Sequence, residues 1–255
     1  MAGTEEETHN AWWTKPTFII SAIAVVLLIG MGIILFTFLG NKEGPEAAPP
    51  VQPQTNSPTA TASESVPGES VCGLEATGGT TLTSAPDDVE WEFLGGVAAP
   101  KSVEHGPGLV DEQTGVRSCY SHTPEGALLS VTGMLAASGD PELLVATARA
   151  LSLEGPGKDL NMERYERQIN STGSAAPPIK FEGFRLLSYD EDQATVEVVV
   201  SGDSGSELLY LTSSLIVEWH QGDWHVKYKD DGTSGPVQGQ ISDLSGYAPW
   251  GPDNG

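Results

Sequence analysis

Gly202-Asp203-Ser204-Gly205 is the setting of a nucleophilic serine, the first place where this sequence could do chemistry. A serine nucleophile needs a histidine base that a buried carboxylate orients. His105 and His122 precede it, but neither stands in a matching context, and Gly, Asp and Ser are also what a tight strand connection needs. The tetrapeptide is therefore read as a turn. His220 and His225 flank a hairpin and lack the third ligand of a catalytic zinc site. Asp190-Glu191-Asp192 and Asp230-Asp231-Gly232 do not follow the spacing of a calcium loop, and they read as solvated turns. Gly155-Pro156-Gly157-Lys158 lacks the first glycine of a phosphate loop and reads as a helix connector. No catalytic residue, metal ligand or cofactor is assigned from these patterns, and no ligand-binding residue is named.

The one specific pair is Cys72 with Cys119. In an oxidising compartment they are expected to form a disulfide that ties the start of a domain to the residues before its first helix. Two buried free thiols and an intermolecular bridge are the alternatives.

The elements that hold these residues fall into blocks. Thr17 to Leu39 carries no charge and is long enough, at about 1.5 Å per residue, to cross a bilayer as a helix. Trp12 and Trp13 suit the membrane–water boundary, with Lys15 and Lys42 on either side of the span. The alternative, a cleaved signal peptide, would need a shorter apolar run ending at small residues, whereas this one ends Phe36-Thr37-Phe38-Leu39. A short tail over 1–16 is expected inside. The rest is expected outside, because Pro/Ser/Thr-rich residues 40–70 and then the cysteine pair suit an exterior.

Residues 71–251 read as an α+β domain, with a short tail over 252–255. Val89, Trp91 and Phe93 alternate with Glu90 and Glu92 as a half-buried strand. Thr123-Pro124-Glu125 and Asp140-Pro141-Glu142 are helix starts. Ala127, Val131 and Met134 mark the face of the first helix, and Leu144, Ala148 and Leu151 that of the second. A third helix is expected at about 161 to 170, with Glu163 and Arg167 paired one turn apart. Strands then follow over Phe184–Tyr189, Ala194–Val200, Leu208–His220 and Trp224–Lys229, giving a curved antiparallel sheet of about four strands. Residue parity across the Gln221-Gly222-Asp223 turn puts Leu215, Val217, Trp219, Trp224, Val226 and Tyr228 on one face, the expected core.

Charge excludes one large class of function. The chain has 12 basic against 35 acidic residues, a net charge of -23, and so offers no basic face to a nucleic acid. From Val71 onward there are still 28 acids against ten bases, so the acidity belongs to the domain.

Several blocks carry a resemblance in order: Cys119–Leu129, Gly183–Tyr189, Trp219–Trp224 and Leu244–Gly251. Together they resemble an uncharacterised family of membrane-anchored actinobacterial proteins with a domain similar to the nuclear-transport-factor-2-like superfamily. The resemblance implies a cone of helices on a curved sheet. In architecture (tail, span, tether, cone) it is similar to the inner-membrane scaffold component of conjugative type IV secretion systems. That superfamily holds both enzymes and assembly modules, and no catalytic constellation maps onto numbered positions of this sequence, so a non-catalytic assembly role with envelope or secretion-system proteins as partners is the leading expectation, with homo-oligomerisation left open. Ligand binding or catalysis inside the cone, and an accessory role in the envelope, are the competing expectations.

Overall fold

The computed structural model describes residues 68–76, 79–172, 179–203, 208–236 and 239–253. Among them no helix is long and apolar enough to cross a membrane. The expected span Thr17–Leu39 and its flanking Trp12, Trp13, Lys15 and Lys42 lie outside the described residues.

The domain is α+β. Strands β1 (Glu90–Leu94) and β2 (Val97–Lys101) form a hairpin, and β3 (Leu109–Val110) pairs with β4 (Arg117–Ser118). Three helices follow: α1 (Pro124–Ala136), α2 (Pro141–Ala150) and α3 (Pro156–Thr172). The main sheet then forms from β5 (Lys180–Tyr189), β6 (Gln193–Asp203), β7 (Leu208–His220), β8 (Asp223–Val226), β9 (Gln240–Ile241) and β10 (Ala248–Pro249). Its order is β10-β5-β6-β7-β8, all antiparallel, with β9 on β7. The sheet thus has six strands where about four were expected. The two additions are two-residue strands, too short to show a period.

Local chemistry explains the helix starts. The Thr123 hydroxyl accepts the Gly126 N–H at 3.0 Å, and Pro124 opens α1 without wasting a donor. Asp140 caps α2 by accepting from Glu142 and Leu143 at 2.9 and 3.1 Å. Helix α3 begins at Pro156, five residues before the expected start, so the supposed connector is its first turn. Gly157 fits there because a Cβ would lie 2.1 Å from the Lys229 carbonyl oxygen. Arg167 donates to the Glu163 backbone carbonyl at 3.2 Å, in place of the expected side-chain pair.

Two expected faces change. Helix α1 is buried almost all round, with Leu128, Leu129, Ser130 and Thr132 joining Ala127 and Val131, because it packs against both the main sheet and β2. On α2 Thr147 is buried and Leu143 and Ala146, half-buried, pack on the core; of the expected face Leu144, Ala148 and Leu151, only Leu151, at the end of the helix, belongs to the core. Strand β1 also departs from its alternation. Trp91 packs on Phe181 and Trp250, but Phe93 is 73% exposed, and it is the next residue, Leu94, that packs on the core.

The β1–β2 hairpin is seated on the turn between α1 and α2 by paired glycines. Gly95 has φ 56, and a Cβ there would lie 2.3 Å from the Gly139 carbonyl oxygen; a Cβ on Gly139 would lie 2.5 Å from that of Leu94. Gly139→Ala is expected to lower the unfolding free energy by about 1–3 kcal/mol, measured by urea titration, because backbone on both sides cannot give way.

Beneath α1 the core is filled. Val196, Val198, Leu215, Val217, Trp224, Phe181, Phe184 and Trp250 are all buried. The other face of the sheet is also covered, by the C-terminal segment, and its centre is polar. Glu197 accepts from Arg185 at 2.7 Å, from the Tyr247 hydroxyl at 2.8 Å and from Ser214 at 3.0 Å. This buried carboxylate has its partners and faces no opening.

Candidate functional site: an acid-lined groove

The β5–β6 turn is built by Asp190, whose Oδ1 accepts the Asp192 and Gln193 N–H groups at 3.0 and 2.8 Å. Its own N–H donates to the Gln193 carbonyl at 2.9 Å. With that oxygen used locally, the turn holds Glu191 and Asp192 outward, and both are exposed. Pairing of Gln193 with Glu218 brings β7 alongside, and the Trp219 N–H donates to the Asp192 carbonyl at 2.8 Å. Lys227, just past β8, reaches Glu218 at 2.5 Å.

These residues line an open groove of about 670 Å³: Asp190, Glu191, Asp192, Gln193, Glu218, Trp219 and Lys227. Its one cation is already paired, so the balance is strongly negative. Its aromatic wall is Trp219, packed against other rings. Trp219 stacks on His122 with ring centroids 4.0 Å apart and planes 5° from parallel, and Trp224 meets Trp219 edge-on at 5.1 Å. His122 Nε2 is hydrogen-bonded to the Glu191 carbonyl, which ties the stack to the turn. The Tyr189 hydroxyl donates to the His122 carbonyl at 3.2 Å. Burial first, then the charges of Glu125, Glu191 and Asp190, push its pKa up to about 12, so it stays a neutral donor.

Chemically the groove can accept hydrogen bonds from cations and offer an aromatic wall to an aliphatic stem. It lacks a paired nucleophile and base. Among the described residues no three His, Cys, Asp or Glu side chains are grouped to hold a metal. His220 and His225 are not opposite each other: His220 pairs with Asp223 and His225 with Glu218, their ring centroids 5.4 Å apart. Burial lowers the pKa of His225. Of Gly202-Asp203-Ser204-Gly205, the described part closes β6, and His105 bonds instead to Ser121, at 3.2 Å.

Of the residues singled out in the sequence, Leu215, Val217, Trp224 and Val226 are buried. Trp219 and Tyr228 are half-buried, and Trp219 serves the groove as well as the core. Cys72 and Cys119 are bonded to each other, with Cα atoms 6.1 Å apart. The groove itself escapes sequence reading. Asp190-Glu191-Asp192 was visible as a turn, but the approach of Glu218 and Lys227 depends on strand register.

No curated protein and no solved structure matches this chain. One family model does, over residues 51–249, from within the Pro-rich segment to the end of β10. The chain belongs to that family, described as a domain of unknown function, DUF8175.

Proposed function

We propose that this protein is a membrane-anchored, extracytoplasmic interaction module, non-catalytic, that docks basic segments of partner subunits in an envelope assembly. The observation that carries the reading is the groove: open, acid-lined and aromatic-walled, on a domain with an apolar core of packed aromatic and aliphatic side chains. A small-molecule site encloses its ligand. An open acidic groove instead suits a charged segment of a partner, where complementary charge gives steering and register. The resemblance to the scaffold component of conjugative secretion systems supports a place in a conjugation or secretion apparatus. The apolar stretch Thr17–Leu39 supports anchoring.

The test is photo-crosslinking in native membranes with a probe at Glu191, repeated with Glu191→Lys and Asp192→Lys together and the probe moved to Gln193. Adducts on Lys- or Arg-rich segments of envelope proteins are expected, and the double reversal should reduce them by about tenfold. Recovery of monomer alone, or capture indifferent to the reversal, would overturn the reading.

A further inference from the structure

We propose that Cys72 is a thiol–disulfide exchange site, where a protein dithiol opens the Cys72–Cys119 bond and releases the N-terminal edge of the domain without unfolding its core. The inference rests on access and on what surrounds each sulfur, and it is independent of the docking role above.

Cys72 is exposed as a residue, although its sulfur rests against Gly108, where a Cβ would lie 2.3 Å from it, whereas Cys119 is fully buried. With Cys119 closed off, an incoming thiolate has only Cys72 Sγ to approach, and Cys119 Sγ is the leaving group. That second sulfur sits among donors: the Cys72 N–H points at it from 3.0 Å, and the Ser70 hydroxyl lies 3.4 Å away. A disulfide sulfur carries no proton, so both groups donate, and both stabilise the thiolate that forms as the bond breaks. The Asp223 carboxylate, which accepts the Cys119 N–H at 2.5 Å, acts in the opposite sense by adding negative charge nearby. Access thus selects the sulfur attacked.

The exchange balances as follows. The first thiolate forms an S–S bond to Cys72, the Cys72–Cys119 bond breaks, and its electron pair stays on Cys119 Sγ, which takes a proton from water. The dithiol's second thiolate then attacks its own mixed-disulfide sulfur and displaces Cys72, which is protonated in turn. The dithiol loses two electrons and the cysteine pair gains them.

The segment that this frees keeps most of its backbone hydrogen bonds within itself, although Ser70 is buried against the domain. Gly73 and Leu74 donate back to Ser70, through its carbonyl at 2.9 Å and its hydroxyl at 2.6 Å, and Ser70 N–H donates to Leu74 at 3.2 Å. Toward the rest of the domain, Val71 N–H donates to the Gly222 carbonyl at 2.9 Å. Cys119, by contrast, is kept in place from the far side, because Asp223 also accepts the Tyr120 N–H at 2.9 Å. Cys72 thus has fewer ties to the rest of the domain than Cys119.

The experiment treats the full-length chain in lipid discs with glutathione and, separately, with dithiothreitol, followed by acid quench, alkylation and peptide mapping. Glutathione is expected on the Cys72 peptide and not on Cys119. The opening rate should stay flat in mild urea, and hydrogen exchange should rise within 68–76 while β6 keeps its protection. Ser70→Ala should slow opening several-fold without changing the global unfolding rate. Opening that occurs only at the rate of global unfolding, or adducts on Cys119, would overturn the proposal.

Discussion

Asp223→Ala is expected to lower the unfolding free energy by about 3–5 kcal/mol. Asp223 is buried at the start of β8, and its two oxygens receive three backbone N–H groups: Cys119 at 2.5 Å, and Tyr120 and its neighbour Trp224 at 2.9 Å each. Removing the carboxylate leaves buried donors with nothing to bond, and each orphan costs about 1–3 kcal/mol. Cys119 has φ 64, a left-handed conformation that side-chain-bearing residues rarely adopt, so its peptide depends on this acceptor. Asp223→Asn is no rescue. Its amide nitrogen would meet an N–H where one oxygen now stands.

The pH dependence gives a second reading of the same residue. Burial raises the Asp223 pKa above its ordinary 3.8, against the pull of the three N–H donors. A carboxyl whose pKa is raised by folding contributes stability that is full below its unfolded pKa and is lost as pH rises through the folded one. The stability difference between wild type and Asp223→Ala, measured by urea titration at a series of pH values, should therefore be largest in acid and shrink as pH rises. A difference that grew with pH would show that the N–H bonds to the ionised form outweigh burial.

The other large effect belongs to the disulfide. With its ends 47 positions apart, its removal in Cys72→Ala/Cys119→Ala should lower the unfolding free energy by about 4 kcal/mol in the chain-entropy model. Replacing both residues avoids leaving a reactive thiol. Denaturant midpoints of the variant and of oxidised wild type check the size. A shift under about 1 kcal/mol would mean that the unfolded chain already keeps these ends together.

What the sequence reveals about this fold depends on whether a signal is local. Thr123-Pro124-Glu125 and Asp140-Pro141-Glu142 are complete caps within three residues, and the helices begin where they stand. The β7–β8 hairpin was equally legible. Its faces follow from parity, and the observed pairs, such as Val217 with Val226, obey it. Strands β3, β4, β9 and β10 each have two residues, so they carry no periodicity; β9 and β10 form on the edges of the longer β7 and β5, and β3 and β4 pair only with each other. Phe93 departs from its pattern for a different reason: the alternation itself breaks at the end of β1, where Leu94 takes the place on the core and Phe93 faces solvent. The groove is the least local feature of all, since Glu191, Trp219 and Lys227 come from three separate stretches of chain. Asp223 was invisible for the same reason. In sequence it is one more polar residue in a turn, and its partners lie 104 and 103 positions away.

The position of the disulfide also has a mechanical consequence. A pull on the chain upstream of Gly68 reaches Cys72 and passes through the covalent bond to Cys119, whose amide is bound to Asp223 at the start of β8. The intervening chain, with all of β1 to β4, is bypassed and carries no tension. Force would arrive directly at the main sheet, beside the Trp219–His122 stack. Severing the bond would reroute the same pull through β1 and β2, whose hairpin would then peel first.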